Sequence, residues 1–138
     1  MAARTWLVDL PHEACSALID EATLGRLGVV VEGRPMVFPV AHVIIDDDII
    51  FPTNRGTKMH AALEWPWVGF EVDAVEGTWE SGWSVMVSGR AEEVTDPDVI
   101  ERAVAKRTSP WRTGTEVVWI RVIPTTTTGR RIDAETVS

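Results

Sequence analysis

Lysine, tyrosine and cysteine are scarce in this chain. Its 138 residues include no tyrosine, one cysteine (Cys15) and two lysines, Lys58 and Lys106, while arginine supplies the remaining positive charge. A single cysteine cannot form an intramolecular disulfide, which is typical of proteins from a reducing compartment. Because lysine is so rare, a lysine beside a turn indicates a specific role more strongly than it would in an average chain.

Long apolar runs and net positive charge are also missing. No run approaches the roughly 20 residues of a membrane span. The N-terminus, where Arg4 is followed by Asp9 and Glu13, shows no signal-peptide pattern. The formal net charge of −8 argues against broad binding to nucleic acid. We therefore expect a single cytoplasmic domain covering residues 1–138, with neither a nucleic acid nor a membrane as partner.

Short apolar segments separated by turn residues predict a mostly β protein. Strands are expected over residues 27–31, 36–45, 49–53, 68–75, 83–95 and 115–123, with a bulge or a close backbone approach at Gly89. Helices are expected over residues 11–24, 57–64 and 97–107, the last capped by Asp96. Residues 124–129 are predicted to form a Thr-rich turn, and the tail after Ile132 is expected to be frayed. Six strands with mostly antiparallel connections predict a small β-barrel with peripheral helices.

The segment from residue 49 to residue 63 is the most informative part of the chain. An apolar strand runs into a turn, Asn54-Arg55-Gly56-Thr57-Lys58, and then into a predicted helix. A helix N-terminus offers free N–H groups and the positive end of the helix dipole. The glycine allows close approach to the backbone, and the arginine and lysine add full charges. These features predict a phosphate site. The alternative is an ordinary strand-to-helix turn with solvated charges.

Five segments between Leu7 and Arg131 carry a resemblance to a known family. They are GRLGVVVEGRPMVFPVAHVIIDDDIIFPT, RGTKMHAAL, VGFEVD, GWSVMVSGRAEEV and IRVIPTTTTGRR. In this order they resemble the pyridoxamine 5'-phosphate oxidase-like flavin-binding split-barrel family. They are most similar to its small members, which are grouped with nitroimidazole reductases and with actinobacterial flavin and deazaflavin reductases. The resemblance implies a six-stranded antiparallel split β-barrel that forms a homodimer, with two flavin sites between the subunits.

The resemblance also implies which residues hold the flavin. The turn around Lys58 would hold the phosphate, and the strand over residues 38–42 would offer backbone groups to the isoalloxazine ring. The strand beginning at Trp83 would add phosphate or ribityl contacts. The C-terminal part would approach from the partner subunit. The expected cofactor-binding residues are Phe38, Val40, His42, Arg55, Gly56, Thr57, Lys58, Trp83, Ser84, Trp111 and Arg130.

The sequence departs from true pyridoxamine phosphate oxidases in two places. Those enzymes carry an arginine early in the phosphate-binding strand, whereas this chain has IIFPT. They also carry an Arg-x-His pair near the C-terminus that holds the substrate, whereas this tail reads Gly129-Arg130-Arg131-Ile132-Asp133, without histidine. We therefore do not expect oxidation of a vitamin phosphate.

Three other groupings were weighed as sites. His12 and Cys15 have a spacing that could share a metal, but no second ligand pair accompanies them, so an exposed histidine and a buried cysteine are expected. The aspartates at 46–48 lack the alternating ligands of a calcium loop and predict a hairpin turn. His42 is expected to be a wall residue of the barrel; its functional alternatives are contact with flavin or substrate, proton donation or axial ligation. No metal site is expected.

Two classes of function remain. One is an oxidoreductase that transfers hydride from a bound flavin to a small-molecule acceptor. The expected cofactor is FMN, with FAD or a deazaflavin as alternatives. The other class is a protein that binds flavin, haem or an apolar ligand without turnover. No catalytic residue can be named. The many large apolar side chains, among them Trp65, Trp67, Trp83 and Trp119, also predict a homodimer.

Overall fold

The computed structural model describes residues 2–57, 60, 63–77, 81–107 and 116–137. The described strands are β1 Ala2–Asp9, β2 Gly25–Val31, β3 Arg34–Val40, β4 Val43–Ile45, β5 Asp48–Asn54, β6 Trp67–Glu76, β7 Ser81–Glu93 and β8 Val117–Val137. The described helices are α1 His12–Glu21 and α2 Pro97–Lys106.

All the strands belong to one antiparallel sheet, ordered β3-β2-β6-β7-β8-β5-β4, with β1 added beside β8. The sheet does not close, because β3 and β4 lie at its two ends. This arrangement confirms the predicted mostly β class and the split barrel with peripheral helices. The described residues form eight strands, whereas the sequence pattern suggested six.

The largest difference from the sequence prediction concerns β8. The segment 124–129 was expected to be a turn and the tail to be frayed, but the strand continues through both. It pairs with β7 along one edge and with β1 from Arg130 onwards along the other. The strand β1 was not predicted at all. The register with β7 shifts between Ser88 and Gly89, which confirms the predicted irregularity at this glycine, and the extra residue Thr125 donates its hydroxyl to the Ser88 carbonyl at 2.9 Å.

Smaller differences affect the helices and the third predicted strand. Pro11 is the N-cap of α1 rather than its first helical residue, and the helix ends at Glu21. The predicted strand 36–45 is interrupted after Val40, which leaves Ala41 and His42 between β3 and β4. Half of the predicted helix at 57–64 and the whole of the loop 109–114 lie outside the described residues. The cap of α2 is confirmed, since the Asp96 carboxylate accepts the Asp98 N–H at 2.9 Å.

The hairpin between β4 and β5 has the turn that the aspartates predicted. Asp46 and Asp47 take positive φ values of 51° and 68°, and Ile45 pairs with Asp48 across them. Two successive left-handed residues give a type I′ turn, which matches the twist of the strands, and aspartate is one of the residues that tolerates it. The turn places the carboxylates of Asp47 and Asp48 beside α1.

Two apolar cores hold the fold together. The main core fills the barrel and includes Leu27, Phe51 and Phe70. A second core lies on the opposite side of β5, where α2 covers Ile50 and Trp119. The same strand therefore contributes to both cores, with Ile49 and Phe51 in the first and Ile50 in the second.

Candidate functional site

The end of β5 forms a compact turn built on hydroxyl groups. Thr53 is buried, and its hydroxyl oxygen lies 3.3 Å from that of Thr57. The Thr57 hydroxyl donates to the Asn54 carbonyl at 2.8 Å and accepts the His60 N–H at 3.2 Å. Because the Thr57 proton points to Asn54, the Thr53 hydroxyl is the donor and the Thr57 hydroxyl the acceptor in the contact between them. Both threonines therefore order the turn.

Gly56 lies at the exposed tip of this turn. Its φ is +79°, and a side chain built there would meet nothing within 4 Å. Its N–H donates to Nδ1 of His60 at 3.3 Å, and the Thr57 N–H donates to the Asn54 carbonyl at 3.3 Å. The two N–H groups predicted to hold a phosphate thus have intramolecular partners, over distances at the long end of the hydrogen-bond range.

Carboxylates surround the turn, which the sequence pattern did not reveal. A pocket of about 450 Å³ beside Gly56 is also lined by Glu64, Glu92 and Glu93. The Arg55 guanidinium lies 3.3 Å from the Glu93 carboxylate, and both side chains are exposed. Glu93 is far from Arg55 in sequence and reaches it only through the register of β7, β8 and β5, so no local signal could have placed it there.

The strand β3 lies at one edge of the sheet. It pairs with β2 on one side, which leaves its outer backbone edge free of any described strand. Val40 is 3% exposed and belongs to the main core, and Phe38 packs partly against it. The side chain of Val40 is therefore not available to a ligand, and the implied contact of this strand with the flavin ring stays a prediction about its backbone.

His42 is buried between α1 and the barrel. Its Nε2 lies 2.9 Å from the Ile19 carbonyl, and its ring meets the Phe70 ring edge-to-face at 4.9 Å. A carbonyl only accepts, so the proton is on Nε2, and Nδ1 is a buried acceptor without a hydrogen-bond partner among the described residues. Burial lowers the pKa of His42, although the bond to Ile19 and the charge of Asp20 raise it in part.

Ser84 and Arg130 come together on the outer face of the barrel. They are register partners on β7 and β8, and both are exposed. Trp83 is half-buried and packs against the main core. The turn at Asn54 pairs with Val117, the first residue of β8. About 40 Å of extended strand lies between Val117 and Arg130. One chain therefore does not bring all the predicted cofactor-binding residues together.

The remaining residues singled out from the sequence either have structural roles or lie outside the described residues. Cys15 is buried, with Sγ 3.8 Å from the Leu10 carbonyl, and His12 Nε2 lies 3.5 Å from the Ser16 hydroxyl. Burial raises the pKa of the Cys15 thiol. Lys58 and Trp111 lie outside the described residues. Within the described part of the chain, neither helix is long and apolar enough to cross a membrane.

Comparison with known proteins gives consistent matches. The sequence profile of pyridoxamine 5'-phosphate oxidase matches residues 11–131. The uncharacterized protein Rv0080 of Mycobacterium tuberculosis is 28% identical over 94% of this chain and 88% of its own length. The FAD-binding protein from Mycobacterium smegmatis is 34% identical, with a TM-score of 0.77, over 90% of this chain and 98% of that one.

A further solved structure extends the likeness in fold. The FAD-binding protein from Mesorhizobium loti has a TM-score of 0.81 at 24% identity, over 94% of this chain and 99% of that one. The profile match spans most of the chain, from the cap of α1 to the Arg131 position on β8. The chain belongs to the pyridoxamine 5'-phosphate oxidase family.

Proposed function

We propose that this protein binds a flavin nucleotide at the turn formed by residues 53–57 and uses it to reduce a small acceptor. The observation that carries the proposal is the similarity to the FAD-binding protein from Mycobacterium smegmatis over nearly the whole length of both chains. FMN is the expected cofactor, with FAD and a deazaflavin as the alternatives. The resemblance to the flavin-binding split barrels, seen in five ordered segments, supports the same cofactor class.

The turn offers N–H donors and cations to a phosphate, and these must offset the repulsion of the carboxylates of Glu64, Glu92 and Glu93 beside it. Gly56 leaves open space at its exposed tip, so a phosphate oxygen can approach the backbone. The contacts of the Gly56 N–H, the Thr57 N–H and the Arg55 guanidinium are each 3.3 Å long and lie at or near the surface. A phosphate would exchange these long contacts for shorter charge-assisted bonds to the same donors, and Lys58 would add a further cation. The free-energy cost of that exchange is small, because an exposed ion pair such as Arg55–Glu93 contributes little to stability.

A second copy of the chain would complete the site. Along β8, Arg130 and its partner Ser84 on β7 lie 13 residues beyond Val117, which pairs with the turn, so a ligand held by both sets needs two subunits. The outer face beside Ser84 also exposes large apolar side chains, including Met86 and Trp67. Burial of that face against a partner would shield the flavin ring from water. We therefore propose a homodimer in which each site combines the turn of one subunit with the outer face of its partner.

The proposed reaction relies on the cofactor for its chemistry. A bound flavin supplies hydride transfer, and the protein supplies binding, orientation and exclusion of water. The edge of β3 would orient the ring through backbone groups, and apolar walls would favour a flat acceptor. His42 does not serve as a ready proton donor here, because its only proton is held by the Ile19 carbonyl. No side chain is proposed as an acid or base.

The reaction class can be tested with purified protein under anaerobic conditions. Reduced flavin is mixed with the protein and with a panel of quinones and nitroaromatic compounds, and oxidation of the flavin is followed by absorbance. We expect at least one acceptor to be reduced faster than in buffer. If none is, and the protein still binds flavin tightly, the function is that of a carrier, and the oxidoreductase proposal is wrong.

A further inference from the structure

A second cavity, of about 610 Å³, lies between α1, the β4–β5 hairpin and the middle of β8. It results from the way β8 changes partners. The pairing with β5 ends at Val122, and the pairing with β1 begins at Arg130. Between these points no described strand covers that edge of β8. The helix α1 lies across the gap, and the Leu10 N–H donates to the Gly129 carbonyl at 2.9 Å beside it.

The inner wall of this cavity is apolar. Ile19 comes from α1, Ile44 and Ile49 come from the hairpin, and Ile123 and Pro124 come from β8. The volume is within the range of pockets that bind small molecules, roughly 300–1,000 Å³. An apolar wall of this kind favours a hydrocarbon or aromatic body.

The mouth of the cavity is negatively charged. Glu13 lies on the first turn of α1, and Asp47 and Asp48 lie on the hairpin opposite. Asp48 lies 3.6 Å from the Arg121 guanidinium, and burial raises the pKa of its carboxyl group. Among the described residues, Glu13 and Asp47 have no ion-pair partner, so the mouth carries an excess of negative charge.

Two further polar groups add hydrogen-bonding capacity beside these carboxylates. The Ser16 hydroxyl and the His12 ring line the same mouth, and they lie 3.5 Å from each other. A protonated amine has two or three N–H donors, which matches a mouth of carboxylate and hydroxyl oxygens. A carboxylate or phosphate ligand would meet repulsion there instead.

We propose that this cavity is a binding site for an amine with an apolar body. The ammonium group would lie between Glu13 and Asp47, and the apolar body would pack against the isoleucines of α1, the hairpin and β8. The site is separate from the phosphate-binding turn, and the inference does not depend on flavin binding.

The test compares three probes that share one apolar body. These are 4-phenylbutylamine, 4-phenylbutan-1-ol and 4-phenylbutyrate, which carry a positive, a neutral and a negative head group near neutral pH. Their dissociation constants are measured by calorimetry, and amide NMR shifts locate the site. We expect the amine to bind at least about tenfold more tightly than either analogue, because its charge-assisted hydrogen bonds are absent from both. The shifts should be confined to α1 and residues 44–49 and 123–127.

Variants separate the contributions of charge and cavity. The double change Glu13→Gln and Asp47→Asn should reduce the amine preference to within about twofold of the alcohol, and asparagine tolerates the positive φ of Asp47. Ser16→Phe, at an exposed position on α1, should fill the mouth and weaken all three probes. Glu32→Gln, in the β2–β3 turn, is the control and should leave the preference unchanged. Equal binding of the three probes, shifts elsewhere, or no amine binding at millimolar concentration would overturn the proposal.

Discussion

His42 shows how the surroundings of one residue can determine its chemistry. A histidine within a barrel strand had been expected to be a wall residue or a flavin contact. The structure encloses it between α1 and Phe70, with its one proton held by the Ile19 carbonyl and with Nδ1 buried. Protonation at Nδ1 would create a buried charge whose N–H has no acceptor among the described residues, which is why burial lowers its pKa.

The lowered pKa of His42 predicts that stability falls on mild acidification. The unfolded chain binds a proton at His42 near the ordinary value of about 6.5, while the folded protein binds it only at lower pH. Between these two values the unfolded state holds more protons, so the free energy of unfolding decreases as the pH falls, by up to about 1.4 kcal/mol per pH unit. Below the folded pKa this contribution stops changing.

The measurement is urea unfolding at several pH values from 7 to 5. His42→Gln, which cannot titrate, should lose less stability over that range than the wild type. His12→Gln, at the exposed start of α1, is the matched control for removing a histidine. Equal losses in the wild type and in His42→Gln would contradict the account of a buried neutral ring.

At the level of elements, the contact between α1 and β8 depends on the absence of a side chain at Gly129. A Cβ atom at this position would lie 2.5 Å from Sγ of Cys15 and 3.3 Å from Cδ1 of Leu10. Cys15 is one of the two fully buried residues that face inward from α1. The helix can therefore approach this closely only because β8 carries glycine here.

Gly129→Ala should destabilise the protein by about 1–3 kcal/mol, because the new methyl group overpacks the interface. Cys15→Ala should lower the free energy of unfolding by about 1 kcal/mol, because the sulfur contact is lost. The double variant should be more stable than the sum of the two changes by more than about 0.5 kcal/mol, because alanine at 15 makes room for alanine at 129. Urea unfolding of the four proteins measures this coupling. Simple additivity would show that the two residues do not compete for one space.

The same strand marks the limit of what the sequence could predict about the fold. Strands with one buried face, such as β6 and β7, show alternation and were found close to their true positions. By contrast, Leu7 of β1 and Ile132 of β8 are register partners that are both exposed, so this pair contributes no buried residue to a periodic pattern. Their pairing is a long-range property of the two ends of the chain, which a local pattern does not contain.

In the candidate site too, some features could be predicted from local sequence and others depend on the fold. The residues of the turn after β5 were identifiable because strand, glycine and cations are consecutive in sequence. The ion pair of Arg55 with Glu93 depends on the order of β7, β8 and β5 and could not be found locally. The burial of Val40 and the inward position of Trp83 depend likewise on the barrel.

At the scale of the whole molecule, the outer face of the barrel predicts a dimer. Val37, Trp67 and Met86 lie on β3, β6 and β7, and each is more than half exposed. The register across β3, β2, β6 and β7 places these side chains on the same face of the sheet, so they share one surface. An obligate dimer would bury this surface within an interface well over ~1,200 Å².

Light scattering at micromolar concentration should therefore give twice the chain mass of 15.3 kDa. Met86→Arg combined with Trp67→Arg should shift the protein to a monomer while the circular dichroism spectrum is retained. Val104→Arg, which changes an exposed apolar residue of α2 away from this face, is the control. A wild-type monomer would contradict the proposed dimer.

The most direct test of the central claim is the affinity for flavin with and without its phosphate. FMN and riboflavin are titrated against wild type and Lys58→Ala, with Arg34→Ala, an exposed cation of β3, as the control. Wild type should bind FMN more tightly than riboflavin. Lys58→Ala should lose about tenfold to a hundredfold in FMN affinity, which corresponds to about 1.5–3 kcal/mol, and should bind riboflavin as the wild type does. Unchanged FMN affinity in Lys58→Ala would place the phosphate elsewhere, and failure of the wild type to bind either compound would contradict flavin binding itself.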